Sequence, residues 1–272
     1  MLFYLFSEAI KCSSLKAYMS KLPKKHQFID LSDYGRPIAR GIANILKTTK
    51  YTPIDVTISF VISGLIGVYC IFKGYYYAAA FFLILKSILD AADGELARVK
   101  ETPSYTGRFL DSVSDIILNF IIICTIGHLT NTNFVFTFLA FFGIQLQGTL
   151  YNYYYVILRN RFAGDTTSRV FEDKTPTALP GEKQKHVTLL FFIYKSLYGI
   201  FDEIIYALDK KAPEGNPFPN WLMTLISTFG LGFQLLIISV FLVLNLKELI
   251  IPFFIGYSAF IFVFIFIRRA FY

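Results

Sequence analysis

DAADGELARVKETPSYTGRFLDSVSD, residues 90–115, sets four aspartates, two glycines and two arginines between two long apolar runs. Acids at the ends of such runs mean helices that are hydrophobic along most of their length and polar at one depth. The rest of the chain agrees: of 272 residues, 55% are hydrophobic, 18% aromatic and only 17% charged, with a mean hydropathy of +0.53. That is too little polar residue to cover a soluble globule. A large soluble core would use amphipathic helices, whereas several segments here stay apolar on every face for the length of a bilayer span. The expected fold class is an all-α polytopic membrane protein.

Six segments are long enough to cross about 30 Å of hydrocarbon as helices: 54–73, 75–97, 109–130, 133–158, 219–246 and 248–267. Residues 1–50 carry nine Lys/Arg against three acids, which places the N-terminus in the cytoplasm. Alternation then puts Lys100, Arg108, the loop with Arg159, Arg161, Arg169, Lys174, Lys183 and Lys185, and the Arg268–Arg269 pair on the same side, with the C-terminus and the aspartates. Only Lys73 and Lys247 fall outside. Two regions follow. Residues 1–50 form a cytoplasmic region in which 37–51 winds as an amphipathic juxtamembrane helix, and 51–272 form the six-helix membrane domain, with a cytoplasmic loop and interfacial helix at 159–218. Within the latter, 188–211 is long enough to span, but Lys195, Gly199, Asp202, Tyr206 and Asp209 share one stripe. The interfacial reading is favoured because a spanning one moves the Arg268–Arg269 pair outside and breaks the charge bias; both readings stay open.

Several function classes are set aside. Cys12, Cys70 and Cys124 are widely spaced, so neither a disulfide frame nor a thiolate metal site is expected. The first residues lack a basic region before their apolar run and a small-residue cleavage site after it, so no cleaved signal peptide is expected. A net charge of +7 in a membrane chain marks cytoplasmic loops and lipid headgroups, and no nucleic-acid motif points to a nucleic-acid partner.

Asp90, Asp93 and Ala97 share a helix face, with Gly94 beside them, at the inner end of the second span. Asp111 and Asp115 share a face at the start of the third. The short connection predicts that the two helices pack as antiparallel neighbours and bring the carboxylates together. Converging carboxylates repel strongly at low dielectric unless cations neutralise them or some take up protons. A divalent ion is the economical answer, and hard oxygen ligands suit Mg²⁺ or Mn²⁺ with substrate phosphate oxygens completing the shell. Gly94 and Gly107 leave room for a ligand or a backbone, and Arg98 and Arg108 can hold phosphate oxygens. The bland alternative is that acids pair with arginines and glycines serve helix packing. Four intramembrane carboxylates exceed what two arginines neutralise.

Asp90, Asp93, Gly94, Ala97, Arg98, Gly107, Asp111 and Asp115 follow D-x2-D-G-x2-A-R-x8-G-x3-D-x3-D. In this pattern the chain resembles the CDP-alcohol phosphotransferase (CDP-alcohol phosphatidyltransferase) family. TPIDVT, 52–57, is similar to the TPN-x-x-T with which that family begins its first span, with Ile54 in place of asparagine and Thr57 kept. The resemblance implies transfer of a phospho-alcohol, here a phosphatidyl group, from a CDP-alcohol such as CDP-diacylglycerol to an acceptor hydroxyl, releasing CMP, in phospholipid biosynthesis. It implies that Asp90, Asp93 and Asp111 hold two Mg²⁺ or Mn²⁺ ions, and that Asp115 joins them as ligand or acts as the catalytic base. Thr57, Gly94, Ala97, Arg98 and Gly107 would line the nucleotide. A homodimer among membrane lipids is also implied.

Acceptor contacts are assigned to Arg159, Lys195, Gln147 and Asn152, although helix-to-helix hydrogen bonds explain the two amides equally well. The later spans lack interior cations, which leans the acceptor toward an unphosphorylated hydroxyl, with Arg159, Arg161, Lys195 and Arg268 in reach from the helix ends. The tyrosines of LYNYYYVILR, 150–159, read as an interface belt. Two rival classes are an aspartate-rich intramembrane prenyltransferase, which leaves the Gly-x2-Ala-Arg portion unexplained, and a non-enzymatic cation transporter, which needs polar residues spread through the bilayer.

Overall fold

The computed structural model describes Leu22, residues 26–162 and residues 174–272, and every regular element among them is helical. The opening stretch with Cys12 and its expected lack of a cleaved signal, and the loop around Arg169, lie outside the described residues.

Helix α1 (Arg36–Leu46) is amphipathic as expected: Ala39 and Ala43 pack on Val56, Ala92 and Leu96, while Ile38 and Ile45 are exposed. Helix α2 (Pro53–Phe72) starts at a reciprocal capping box between Thr52 and Asp55, with Pro53 in the first turn. It ends at Gly74, whose φ of +75° reverses the chain directly into α3 (Tyr76–Val99). Glu101, also left-handed, separates α3 from α4 (Tyr105–Leu129), whose first turn is capped by the Ser104 hydroxyl accepting from Gly107 N at 2.8 Å. Then follow α5 (Phe134–Arg161), α6 (Gln184–Leu208), α7 (Asn220–Ile226), α8 (Leu231–Val243), α9 (Ile250–Tyr257) and α10 (Phe260–Phe271).

Among the described residues four helical stretches are long and apolar enough to cross a membrane: Pro53–Phe72, Tyr105–Leu129, Phe134–Arg161 and Lys247–Phe271. A fifth is added if Asn220–Phe229 and Leu231–Val243, bent by 55°, count as one span. The expected number was six. The remaining expected span is α3, long enough at 24 residues but diluted by Lys86, Asp90, Asp93 and Glu95. The residues that make it interesting are those that lower its hydropathy.

The bend in the fifth stretch was not expected, and it coincides with a contact from a distant part of the chain. The segment Asp30–Tyr34 passes across the break: Leu31 N donates to Ser227 Oγ at 2.9 Å, and a Cβ on Gly232 would stand 2.0 Å from Ser32 O. Only glycine admits a backbone that close. Continuous helix through Gly230 is given up for this contact.

Helix packing also departs from expectation. Helices α3 and α4 do not pack as close neighbours; each packs on α2, and α3 also on α1 and α8. A gap between α3 and α4 is left for side chains. Away from it the core is built on Ile71, Leu83, Ile122, Leu235 and Phe254, and a second cluster joins α5 to α7, α10 and the end of α6 through Tyr154, Leu222, Ile265 and Ile205. In lipid such contacts stabilise by close packing, since the alternative environment is equally apolar.

Helix α6 starts on the first turn of α4, where Val187 and Phe191 bury against Phe109. It finishes on the last turns of α5 and α10, where the Asp209 carboxylate receives Arg268, and Tyr154 Oη donates to it at 2.5 Å. Both ends of α6 thus lie at the same end of the bundle, the end that carries the aspartates. Between its ends Phe201 reaches the Phe142 ring of α5, 5.0 Å between centroids, and α6 is not among the described stretches apolar enough to span. The tyrosines of α5 are no outward belt. Tyr153 and Tyr154 are buried, and Tyr151 gives its hydroxyl to Asp30.

Candidate active site

The gap between α3 and α4 holds the carboxylates. Asp90, Asp93 and Asp111 each offer an oxygen within 4.8 Å of the others, a separation that one cation can bridge. Asp93 is oriented from α2, where the Thr57 hydroxyl donates to its Oδ2 at 2.6 Å. Thr57 Oγ1 also lies 3.2 Å from Pro53 O, but the one hydroxyl proton is best spent on the charged, closer acceptor. Asp111 Oδ1 is buried with no hydrogen-bond donor. A buried carboxylate oxygen left so is costly, and a cation satisfies it where a second acceptor does not. The donor set therefore fits a divalent ion of oxygen preference.

Asp115 sits one turn deeper on α4 and is engaged differently. It pairs with the ammonium of Lys86, which is 0% exposed, lies 3.9 Å from Asp90 Oδ2, and packs over the Phe60 ring at 4.8 Å from its centroid. Sequence reasoning passed over Lys86. The signal was there: a lone lysine in an apolar run, one helical turn before Asp90.

The remaining expected nucleotide residues divide. Gly107 opens toward the gap between Ser104 and Ile54, the residue that replaces asparagine: a Cβ on Gly107 would stand 3.3 Å from Ser104 Oγ and 3.9 Å from Ile54 Cγ1. Ala97 is half-buried on the last turns of α3. Gly94 has Arg98 above it, but the Arg98 guanidinium binds Glu95 at 3.0 Å instead of pointing at open space. Glu95 also takes Arg36, and Arg40 stands 3.8 Å away. Glu95 therefore gathers arginines from α1 and α3 on the side of α3 turned from the carboxylates. Arg108 lies over Phe109.

A second residue missed from sequence is Glu182. Its carboxylate accepts from Ser104 Oγ at 2.8 Å, Thr106 N at 2.7 Å, Tyr105 N at 3.2 Å and Leu179 N at 3.1 Å. Burial opposes its charge, yet these bonds from Thr106, Ser104 and Leu179 hold it below the usual carboxylate range. It caps α4 with negative charge at the helix end that favours it, and so fixes the turn that leads to Gly107 and Asp111.

The expected acceptor residues have differing surroundings. Gln147 is fully buried and bonds Ser258 Oγ at 3.0 Å and Gln234 Nε2 at 3.1 Å, which ties α5 to α8 and α9. Asn152 and Lys195 are exposed, and Arg159 is buried over the Tyr155 ring. From α6 the Tyr198 hydroxyl donates to Ser112 O at 2.9 Å, next to Asp111 in the chain.

A family model described as CDP-alcohol phosphatidyltransferase matches residues 50–209, a stretch that includes α2 to α6 and all four aspartates. No curated protein sequence gives a significant match. The family uses divalent metal as a rule, in accord with the three-carboxylate cluster, and its reaction joins a CDP-alcohol donor to an alcohol acceptor. An all-helical chain with several membrane-length apolar helices, matched by that model over more than half its length, belongs to the CDP-alcohol phosphatidyltransferase family of membrane transferases of phosphate-containing groups.

Proposed function

We propose that this protein moves a phosphatidyl group from CDP-diacylglycerol to an acceptor hydroxyl, with release of CMP, in phospholipid synthesis. The observation that carries the reading is the cradle of Asp90, Asp93 and Asp111 with its donorless oxygen, in a chain of this family. Those three side chains would hold Mg²⁺ or Mn²⁺, which supplies charge neutralisation on the diphosphate and on the departing CMP. Thr57 keeps Asp93 aimed, and the bare backbone at Gly94 and Gly107 leaves space for the nucleotide, with Ala97 and Arg98 beside it. Asp115 accepts the proton of the acceptor hydroxyl as its oxygen bonds to phosphorus and the phosphorus–oxygen bond to CMP breaks.

An acceptor without its own phosphate suits the cations best. Arg161 donates to Pro213 O at 2.8 Å and Arg268 is bound to Asp209, so both are committed away from the carboxylates. The Lys/Arg bias of residues 1–50 supports a cytoplasmic position for both termini and the site, where the CDP group and metal arrive from water while lipid tails stay in the bilayer.

The test is CMP release by purified protein in lipid with Mg²⁺, CDP-diacylglycerol and a panel of alcohols. Acceptor-dependent CMP identifies the second substrate. Failure to bind CDP-diacylglycerol in the presence of Mg²⁺ overturns the choice of donor.

A further inference from the structure

We propose that Lys86 is a built-in cation of this site: its ammonium occupies the place between Asp90 and Asp115 where a second divalent ion would sit. The chain then carries a single ion, on Asp90, Asp93 and Asp111, and Asp115 remains a base and not a metal ligand. This inference rests on the metal-dependent transferase reading above.

The four carboxylates are not equivalent. Three of them form the metal-sized cluster, and Asp115 is not a member. Asp115 is the one already paired, with an ammonium that also lies 3.9 Å from Asp90. Lys86 reaches this position from the middle of α3 with no exposed surface, and the Phe60 ring of α2, 4.8 Å from Nζ, lies against the ammonium from a third helix. A charge buried this fully persists only where opposite charge and a π-face compensate it, so the pair is part of the built site and not a surface bridge. A divalent ion bound jointly by Asp90 and Asp115 needs carboxylate oxygens at about 2.0–2.1 Å. It would stand against an ammonium bonded to Asp115 Oδ1 and 3.9 Å from Asp90 Oδ2, and like charges at that range repel strongly at low dielectric. Lys86 thereby supplies positive charge beside the reacting group while it engages Asp115 through Oδ1.

Titration of the full chain in lipid nanodiscs with Mn²⁺, followed by electron paramagnetic resonance, counts bound ions and reports magnetic coupling between neighbours. Wild type is expected to bind one uncoupled Mn²⁺. Lys86→Met, which keeps most of the stem and removes the charge, is expected to double this by adding a second ion coupled to the first, and Lys86→Arg to stay at one. Two coupled ions in wild type overturn the role of Lys86 and leave the transferase reading standing. An unchanged count in a folded Lys86→Met also overturns it. No Mn²⁺ in wild type overturns both. If Lys86→Met does not fold, the wild-type count alone decides.

Discussion

The Thr57 hydroxyl reaches across from α2 to donate to Asp93 Oδ2 at 2.6 Å, so a carboxylate of the cradle is aimed by a helix that contributes no ligand of its own. Groups that orient a ligand typically matter about 10–100-fold in metal affinity. Thr57→Val should lower Mn²⁺ affinity by that order with little change in thermal stability, whereas Thr57→Ser should retain it. Isothermal titration with Mn²⁺ checks this, and wild-type affinity in Thr57→Val would remove Thr57 from the site.

Asp115 and Asp93 differ in partners, so their variants should separate. Asp115→Asn is expected to abolish turnover while keeping metal-dependent nucleotide binding, because the cradle of Asp90, Asp93 and Asp111 is intact. Asp93→Asn should weaken both. Paired measurements of CMP release and CDP-diacylglycerol binding decide, and retained activity in both variants would sink the assignment.

Glu182 titrates with a folded pKa below its ordinary value, so its cap stabilises α4 above the usual glutamate range near about 4.3 and is lost as pH falls through the lower, folded value. Protection at Tyr105 and Thr106, taken as the exchange rate relative to the intrinsic rate at each pH, should fall on acidification below that point in wild type, with a weaker pH response in Glu182→Gln. Glu182→Ala should cost about 0.5–2 kcal/mol, toward the lower end because the carboxylate is partly exposed. Equal protection in wild type and Glu182→Gln from neutral pH to pH 3 would argue against the cap.

Asp209 and Arg268 are both buried and bound to each other, joining the end of α6 to α10. Arg268→Met leaves a buried carboxylate with less compensation and should destabilise by roughly 3–5 kcal/mol. Asp209→Asn with Arg268→Met should lose less than the single change. Thermal unfolding in detergent reads the difference, and a double variant no better than the single one would mean that packing, not charge, holds this corner.

The sequence disclosed the membrane class, the amphipathic α1 and the family, because composition, periodicity and a run of eight spaced positions are local signals. Long-range contacts were hidden. The break at Gly230 depends on Ser32, and nothing near Gly230 in the chain announces a backbone arriving from the far end. The gap between α3 and α4 was misread as direct packing because a short loop fixes direction but not how closely the two helix axes approach. Lys86 was legible as an anomaly, yet its partner Asp115 is 29 residues on and is found only by folding. Gln147 shows the converse: an amide inside a span advertises a need for partners, and the structure supplies them from neighbouring helices, far from any chemistry.

The seat of the segment around Ser32 has a consequence for biogenesis. Leu31 and Ser227 bond across 196 positions, so the Asp30–Tyr34 segment lacks this seat until the chain has been made past Gly232. Contacts of such separation form late. Until then Asp30–Tyr34 can hold only to partners made earlier, such as Tyr151 of α5, and its seating against the break at Gly230 comes after five of the long helices have left the ribosome.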